Sequence, residues 1–302
     1  MDGTRSNRTE TYTVGIVGLG LIGGSFARGY AATGNRVLAY DPDSDVMAAS
    51  RVDTVQGELN DETIRECDLI VLAAYPSACI EWLERHAAAI AGATTGAEID
   101  DGPVVIDTGG TKQVICEAAF KLATQHGFHF VGAHPMAGTQ FSGYAHARAD
   151  LFKGAPLVLV PPATDDIERL KLLDRVHELV LPLGFETFSV TTPEEHDRVI
   201  AYTSQLAHVV SNAYVKSPTA QEHHGFSAGS YRDLTRVAHL NPKMWTELMM
   251  EDADNLKFEV DHIIASLQGV SDALGARDAG QLKRLLADGD RIKRALDDEQ
   301  NR

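Results

Sequence analysis

The stretch Val14–Ser25 has the sequence VGIVGLGLIGGS and decides the fold of the N-terminal part of the chain. An apolar run typical of a buried strand comes first, and Gly18, Gly20 and Gly23 follow at G-x-G-x-x-G spacing before a helical pattern. In such a unit the first glycine permits the tight turn, the second lets a pyrophosphate approach the backbone, and the third lets the helix pack closely on the strand. The stretch predicts a dinucleotide site, with an ordinary strand-to-helix turn as the structural alternative.

The helix that follows begins at Leu21 and Ile22, and its first N–H groups and positive dipole end favour a bound phosphate. A second strand, RVLAY, ends at Asp41, at the ~20-residue offset of the acid that binds the ribose 2′-hydroxyl. A carboxylate at this place repels a 2′-phosphate, and the segment DPDSD offers no arginine or lysine to bind one. The sequence therefore predicts NAD rather than NADP as the cofactor.

The pattern changes once along the 302 residues. From Tyr12 short apolar runs alternate with helical stretches, which is typical of a parallel sheet covered on both faces. Thr192 as N-cap, Pro193 at the first helical position and Glu195 as capping partner then start a long helix, and the rest is helical in pattern. We predict an α/β protein: a Rossmann-type doubly wound sheet that binds NAD over 12–192, then an all-α substrate-binding and dimerisation domain over 193–302.

Three further segments follow predicted strands, namely Ala73–Pro76, Asp107–Lys112 and Gly132–Thr139. Ligands bind outside the carboxyl ends of strands in doubly wound sheets, so these segments should face the same crevice as Gly20. For Ala73–Pro76 an ordinary connecting loop is an equally good interpretation. The candidate cofactor-binding residues in these segments are Ala74, Tyr75, Pro76 and Thr108.

His134 follows a predicted strand in VGAHPMAGT. A dehydrogenase that oxidises an alcohol needs a base for the hydroxyl proton, and imidazole, with an ordinary pKa of ~6.5, suits that task. The position at the carboxyl edge of a nucleotide-binding sheet favours this role. The alternative is a histidine that hydrogen-bonds to its own loop.

A polar stripe marks the predicted long helix, where Ser204 and Asn212 lie four residues either side of His208. A hydrogen-bonded core cluster and a substrate site explain this stripe equally well. Further on, Arg232 and Arg236 are both candidate ligands for a substrate carboxylate, since guanidinium binds carboxylates bidentately, although a structural role is preferred for Arg232. The alternative role of Arg236 is an ion pair with Asp233, three residues earlier.

The composition limits the partners. A net charge of −16 disfavours nucleic acid and anionic membranes. The segment Met1–Tyr12 is polar and charged, unlike a signal peptide, and no apolar run approaches the ~20 residues of a membrane span. We predict a cytoplasmic protein with a small-molecule substrate. The long helix is apolar on most faces and predicts a homodimer, because one small domain cannot bury that much surface.

The sequence predicts no metal site. Cys67, Cys79 and Cys116 are far apart and lack C-x-x-C spacing, so they indicate neither a disulfide framework nor zinc. His223 and His224 are adjacent, and adjacent side chains diverge rather than converge on an ion.

Five segments together resemble the prephenate and arogenate dehydrogenase family of tyrosine biosynthesis. They are GLGLIGGS, D-x-G-x-x-K at Asp107–Lys112, G-x-HPMAGT around His134, TSQLAHVVSNA around His208, and GSYRDLTRVA with P-x-MW ending at Trp245. They occur in the family's order and span nearly the whole chain. The resemblance implies NAD-dependent oxidative decarboxylation of prephenate to 4-hydroxyphenylpyruvate, with arogenate, which would give tyrosine directly, as the nearest alternative substrate.

The resemblance also implies roles for individual residues. His134 would polarise the ring 4-hydroxyl of the substrate and accept its proton, and Arg236 would bind a substrate carboxylate. Gly229 would approach the pocket from the partner subunit. The other pocket residues implied are Thr139, Ser204, His208 and Trp245.

The chain departs from the family pattern in two places. Family members often carry a serine in D-x-G-S-x-K that helps to orient the catalytic histidine, and here Gly110 stands there, with Thr108 and Thr111 as candidate replacements. An acidic residue often follows the AGT segment, where this chain has Gln140.

Two other functions are consistent with the glycine pattern. A β-hydroxyacid-type dehydrogenase shares the glycine pattern and a helical second domain. It would use a lysine on the long helix, where Lys216 lies near the end. A non-catalytic NAD sensor would bind NAD without turnover and would not need His134.

Overall fold

Eight strands form one sheet with the order β3-β2-β1-β4-β5-β6-β7-β8. The computed structural model of the protein describes residues 11–94, 96, 99, 102–139, 141–222 and 225–300. The strands are β1 (Thr13–Val17), β2 (Arg36–Tyr40), β3 (Gly57–Glu58), β4 (Leu69–Leu72), β5 (Val104–Asp107), β6 (His129–Pro135), β7 (Pro156–Val160) and β8 (Thr187–Val190).

All neighbouring strands are parallel except β6 and β7, which are antiparallel. The doubly wound Rossmann-type sheet predicted from the alternating pattern is therefore confirmed, with one reversal that the pattern did not predict. Strand β1 lies between β2 and β4, so the chain crosses from one side of the sheet to the other at this point. Such a switch point is where open α/β sheets bind their ligands.

The central strands are apolar along their whole length because both faces of the sheet are covered. Ile16 of β1 belongs to one apolar cluster and its neighbour Val17 to the other. Phe26 and Tyr30, from the helix after β1, pack in the first cluster, and Trp82, from the helix after β4, packs in the second. The helices that cover the sheet are α1 (Leu21–Ala32), α2 (Ser44–Asp53), α3 (Pro76–Ala93), α4 (Gln113–His126) and α5 (Asp166–Val180).

The helical half begins where the sequence predicted it. Oγ1 of Thr192 accepts the N–H of Glu195 at 3.3 Å, and the helix starts at Pro193. The predicted long helix consists of three parts: α6 (Pro193–Ile200), a π-helical segment (Ala201–Leu206) and α7 (Ala207–Tyr214). Single π-helical turns within α-helices occur frequently at functional sites.

The sequence over 242–274 has the pattern of one continuous helix, but the structure interrupts it at Asp252. The buried carboxylate of Asp252 accepts from Gln205 at 3.2 Å and from Asn255 at 2.7 Å. The remaining helices are α8 (Gly229–Thr235), α9 (Pro242–Glu251), α10 (Ala253–Gly275) and α11 (Ala279–Gln300).

Two helices of the second half pack on the carboxyl edge of the sheet. Asp197 of α6 accepts the N–H of Lys112 at 2.7 Å, just before α4. Glu247 of α9 accepts the N–H of Ser77 at 3.0 Å, in the first turn of α3. These contacts place the helical half over the crevice of the sheet.

Candidate active site

The glycine loop after β1 has the geometry that a bound pyrophosphate needs. Gly18 has φ +86°, a conformation that L side chains rarely adopt. A Cβ on Gly23 would lie 1.9 Å from the carbonyl oxygen of Gly18, so no side chain fits there. A Cβ on Gly20 would have nothing within 4 Å, which leaves the backbone open on that side. Leu21 and Ile22 form the first turn of α1 directly behind this opening.

Asp41 lies beside this loop, at the end of β2. Its Oδ2 accepts the N–H of Leu19 at 2.7 Å and its Oδ1 accepts that of Asp43 at 2.9 Å. The carboxylate borders a pocket with a volume of about 270 Å³. Sequence reasoning considered only the residues directly after Asp41 and missed Arg51, which lines the same pocket with Nη2 3.8 Å from Oε2 of Glu58.

The loop after β4 holds the next three candidates. Ala74 follows the strand, Tyr75 is the N-cap of α3, and Pro76 is its first residue. Nζ of Lys243 lies 5.5 Å from the centre of the Tyr75 ring. Thr108 follows β5 and lines the large cavity described next.

A cavity of about 710 Å³ lies between the carboxyl edge of the sheet and the helical half. It brings together residues from widely separated parts of the sequence. Within the described residues, its lining contains no aspartate or glutamate, and Arg236 is the only lysine or arginine. The electrostatics of this cavity suit an anionic substrate, in contrast to the acidic chain as a whole. The predicted site residues that line it are Ile22, Thr108, His134, Thr139, Ser204, His208, Arg236 and Trp245.

Gly229 does not line the cavity of its own chain. It is the first residue of α8 and is exposed. Its approach to the pocket from a partner subunit stays a prediction. Arg236 makes no ion pair among the described residues, so the predicted alternative, a pair with Asp233, does not form in this structure.

His134 lies within β6 rather than after it, as the residue before Pro135 at the end of the strand. Its Nδ1 lies 2.9 Å from Nε2 of His196. Burial lowers the pKa of His134 well below the ordinary histidine value, and repulsion from the protonated form of His196 and from the ammonium of Lys112 lowers it further. His134 is therefore neutral near pH 7 and able to accept a proton.

Sequence reasoning missed the pair behind His134. Nδ1 of His196 lies 2.7 Å from Oδ1 of Asp197, and both residues are buried although they belong to the first turns of α6. Burial acts to raise the pKa of Asp197, but hydrogen bonds from His196 and from the backbone outweigh it and leave this pKa below its ordinary value. A signal was present: two adjacent ionisable residues lie directly after the predicted helix start, on a face that packs inward.

The D-x-G-x-x-K segment supports the strand that carries His134. Asp107 and Lys112 form a buried ion pair. The carboxylate of Asp107 also accepts the N–H of Gly109 at 2.8 Å and that of Ala133 at 3.0 Å. The segment therefore fixes the backbone next to His134.

Neither threonine of this segment replaces the serine that the resemblance expects. Oγ1 of Thr111 donates to Oε2 of Glu251 at 2.5 Å, and Oγ1 of Thr108 donates to the carbonyl oxygen of Leu72 at 3.3 Å. In this structure the group hydrogen-bonded to His134 is His196. Gln140 lies outside the described residues.

The polar stripe of the long helix divides into two. Nδ1 of His208 donates to the carbonyl oxygen of Val237 at 2.9 Å, and the imidazole packs against Trp245 with 4.0 Å between ring centres. Burial lowers the pKa of His208, so it is neutral near pH 7. Asn212 instead donates to the carbonyl oxygen of Ala238 at 3.2 Å. His208 and Ser204 thus face the cavity, while Asn212 holds the backbone.

The described part of the chain holds no group of three or more histidine, cysteine, aspartate or glutamate side chains arranged to bind a metal. His223 and His224, which we did not predict to bind a metal, lie outside the described residues. No described helix combines the length and apolarity of a membrane span.

Two family models match the chain. The model for the prephenate dehydrogenase nucleotide-binding domain matches residues 26–181, and that for the prephenate dehydrogenase dimerization domain matches residues 192–288. Together they cover most of the chain.

Individual relatives agree with these models. Cyclohexadienyl dehydrogenase of Zymomonas mobilis is 29% identical over 295 residues, which covers 94% of this chain and 95% of the relative. Prephenate dehydrogenase of A. aeolicus, solved with hydroxyphenyl propionate and NAD+, is 26% identical with a TM-score of 0.74, covering 96% of this chain and 99% of that one. Arogenate dehydrogenase of Synechocystis is 25% identical with a TM-score of 0.70, covering 93% and 99%. The predicted resemblance is confirmed, and the chain belongs to the prephenate dehydrogenase family.

Proposed function

We propose that this protein is an NAD-dependent prephenate dehydrogenase that converts prephenate to 4-hydroxyphenylpyruvate by oxidative decarboxylation. One observation carries the proposal: His134 and Arg236 line the same cavity, and no described lining residue is a carboxylate. A neutral imidazole can accept a proton there, and a guanidinium can bind a substrate carboxylate.

The glycine loop fits the cofactor, because Gly20 leaves open space at the N-terminus of α1. The chemistry that NAD would supply there is a hydride acceptor for the substrate carbon that carries the hydroxyl group. Asp41 would bind the ribose hydroxyls from the pocket beside the loop. Ile22 and Thr108 line the large cavity, so they would lie where cofactor and substrate meet. The other proposed cofactor-binding residues are Gly18, Leu21, Gly23, Ala74, Tyr75 and Pro76.

His134 would take the proton of the ring hydroxyl as that carbon is oxidised. Loss of the ring carboxylate as carbon dioxide then aromatises the ring, which makes the step effectively irreversible. Arg236 would hold a carboxylate of the substrate and so fix the ring against the imidazole. Thr139, Ser204, His208 and Trp245 would form the walls of this pocket.

Arogenate is the second candidate substrate. It differs from prephenate by an ammonium group in place of the keto oxygen. A carboxylate is the strongest partner for an ammonium group, and the described lining contains none. This observation favours prephenate.

Steady-state assays test the proposal with prephenate and arogenate, each with NAD and NADP, by following the absorbance of the reduced cofactor. We expect the highest kcat/KM for prephenate with NAD. A higher kcat/KM for arogenate would reverse the substrate assignment. NAD binding without turnover of either compound would favour a sensor.

A β-hydroxyacid-type reaction has less support. That type would need a lysine beside the substrate, and Lys216 lies beyond the end of α7 at Tyr214 and does not line the cavity. Turnover of small 3-hydroxy acids but not of prephenate would revive this alternative.

We also propose that the chain is a homodimer through its helical half. The matched dimerization domain over residues 192–288 supports this, as do apolar side chains exposed on the last two long helices. Sedimentation that shows a monomer at micromolar concentration would contradict it. Those exposed side chains are Phe258, Ile264, Leu267, Leu274, Leu286, Ile292 and Leu296.

The proposed organisation is an NAD-binding domain over 12–192 and a substrate-binding and dimerisation domain over 193–302. Limited proteolysis that cuts the chain first within 185–200 would support this boundary. A first cut at another place that leaves two folded fragments would place the boundary there instead. We propose a cytoplasmic location, supported by the unpaired, buried thiols of Cys67, Cys79 and Cys116.

A further inference from the structure

We propose that His196 and Asp197 form a relay with His134 that fixes the tautomer of His134 and holds the substrate proton while the ring is aromatised. This inference rests on the proposed function, because the relay serves the proton acceptor of that reaction. Both are positioning residues: His196 is 3% exposed, Asp197 is 1% exposed, and neither lines the cavity.

The hydrogens of the relay follow from Asp197. A carboxylate only accepts, so the 2.7 Å contact with Oδ1 of Asp197 requires a hydrogen on Nδ1 of His196. Nε2 of neutral His196 is then an acceptor, and the hydrogen in the 2.9 Å contact belongs to Nδ1 of His134. Nε2 of neutral His134 consequently holds the lone pair that accepts the substrate proton.

Asp197 is itself held in place from a second side. Its Oδ1 accepts the N–H of Lys112 at 2.7 Å, and its Oδ2 accepts that of Gln113 at 2.9 Å. These N–H groups belong to the start of α4, where the helix dipole favours a negative charge. The ammonium of Lys112 pairs with Asp107 and does not compete for Asp197.

The proton moves in two steps. Nε2 of His134 takes the proton as the O–H bond of the substrate breaks, which makes His134 a cation. The Nδ1–H of His134 then transfers to Nε2 of His196, and the positive charge comes to lie beside the carboxylate of Asp197. Loss of carbon dioxide leaves the ring oxygen as a phenolate. The reverse transfer returns the proton to Nδ1 of His134, and the Nε2–H of His134 then protonates this oxygen to give the phenol of the product.

The relay also explains how this chain works without a serine at Gly110. No hydroxyl of the D-x-G-x-x-K segment contacts His134, since Thr108 and Thr111 donate to other acceptors. His196 supplies the hydrogen bond that orients the imidazole ring.

Nitrogen-15 NMR of the histidine-labelled wild-type protein tests the tautomer at a pH above the ordinary histidine pKa of ~6.5. We expect His134 and His196 each to carry hydrogen on Nδ1 and a lone pair on Nε2. The variants His134→Asn and His196→Gln assign the signals. A hydrogen on Nε2 of His134 would overturn the relay. Because this measurement needs no substrate, a wild-type protein with the expected tautomers but no turnover of prephenate would reject the proposed function alone.

Kinetics separate orientation from proton transfer. His196→Leu removes the acceptor and should lower kcat by about 10²- to 10⁴-fold with little change in the KM for prephenate. His196→Gln keeps an acceptor oxygen for Nδ1–H of His134, so it should restore part of kcat. The matched control is His86→Gln, since Nδ1 of His86 lies 2.6 Å from Oδ1 of Asp61 on the outer helix α3. That control should leave kcat unchanged.

Asp197→Asn should weaken the relay. Its amide oxygen can still accept from Nδ1 of His196 and from the N–H of Lys112, but the neutral amide removes the negative charge that stabilises protonated His196. We expect a smaller loss of kcat than in His196→Leu, with the tautomers of His134 and His196 unchanged in the NMR spectrum. Wild-type kcat in His196→Leu, or equal losses in the leucine and glutamine variants, would overturn the proposal.

Discussion

Leu19 donates its backbone N–H to Oδ2 of Asp41 at 2.7 Å, so the carboxylate is held against the glycine loop. This contact joins the end of β2 to the turn after β1, next to the point where the chain crosses to the other side of the sheet. The negative charge is therefore held at the place that we propose for the ribose 2′-hydroxyl of a bound dinucleotide.

Asp41→Ser should reduce the preference for NAD over NADP. Two like unit charges about 4 Å apart repel each other by about 1 kcal/mol in bulk water and by about 4 kcal/mol near a protein surface. We therefore expect the ratio of kcat/KM with NAD to kcat/KM with NADP to fall by about tenfold or more. Asp43→Ser is the matched control, because it removes the same charge from a neighbouring residue that caps α2 and does not line the pocket. An unchanged ratio in Asp41→Ser would contradict the ribose assignment.

His134→Asn should lower kcat by about 10²- to 10⁴-fold, as expected when a general base is removed, while NAD binding remains. Stopped-flow turnover and fluorescence titration with NAD measure the two effects. His129→Asn, at the other end of β6, makes the same exchange away from the cavity and should retain wild-type kcat. Wild-type turnover in His134→Asn would remove His134 from the mechanism.

Arg236→Ala should act mainly on the KM for prephenate. Loss of a hydrogen bond to a charged group costs roughly 1.5–3 kcal/mol, which corresponds to an increase in KM of about 10- to 100-fold. Arg232→Ala removes an exposed arginine that does not line the cavity and serves as the control. If both variants keep the wild-type KM, the carboxylate is bound elsewhere.

The pH profile of kcat/KM should have its acid limb below the ordinary histidine value of ~6.5. Burial lowers the pKa of His134, so the imidazole is protonated only at more acidic pH and remains a base at neutral pH. Measurement of kcat/KM across the acid range checks this. An acid limb centred at or above neutral pH that disappears in His134→Asn would contradict it.

Asp252→Asn should stabilise the protein at alkaline pH. Burial raises the pKa of Asp252 to about 6. The protonated carboxyl group therefore contributes its stability to the folded protein at acid pH, and this contribution is lost as the pH rises through that value. The amide stays neutral and can pair with Oε1 of Gln205, a buried oxygen that lacks a partner in the described structure. We expect Tm to rise by about 2–4 °C above the pKa and to change little at acid pH. The same gain at both pH values would show that charge is not the cause.

Local signals in the sequence account for much of this fold. The glycine loop, Asp41 and the Thr192 cap each depend on a few neighbouring residues, so their geometry follows from a short segment. The antiparallel pairing of β6 with β7 cannot be predicted from a short segment, because a strand buries the same alternating side chains in either direction. The interruption at Asp252 depends on a distant partner, Gln205, which pattern reasoning along one helix cannot detect.

The residues of the candidate site also differ in whether the sequence predicts them. His134 and Arg236 stand out in the sequence because their chemistry matches a reaction. His196 does not, since its contact with His134 spans 62 residues and joins a strand to a helix of the other half. From the sequence alone, the start of α6 is interpreted only as a helix cap. In the folded chain His196, which follows this cap, contacts His134.

The central claim is that the protein oxidises and decarboxylates prephenate with NAD. The most direct test is to incubate the purified protein with limiting prephenate and excess NAD and to quantify reduced cofactor, carbon dioxide and aromatic product together. The account predicts equal amounts of all three, with 4-hydroxyphenylpyruvate as the aromatic product. Failure of prephenate to reduce NAD, or reduction of NAD without release of carbon dioxide, would contradict it.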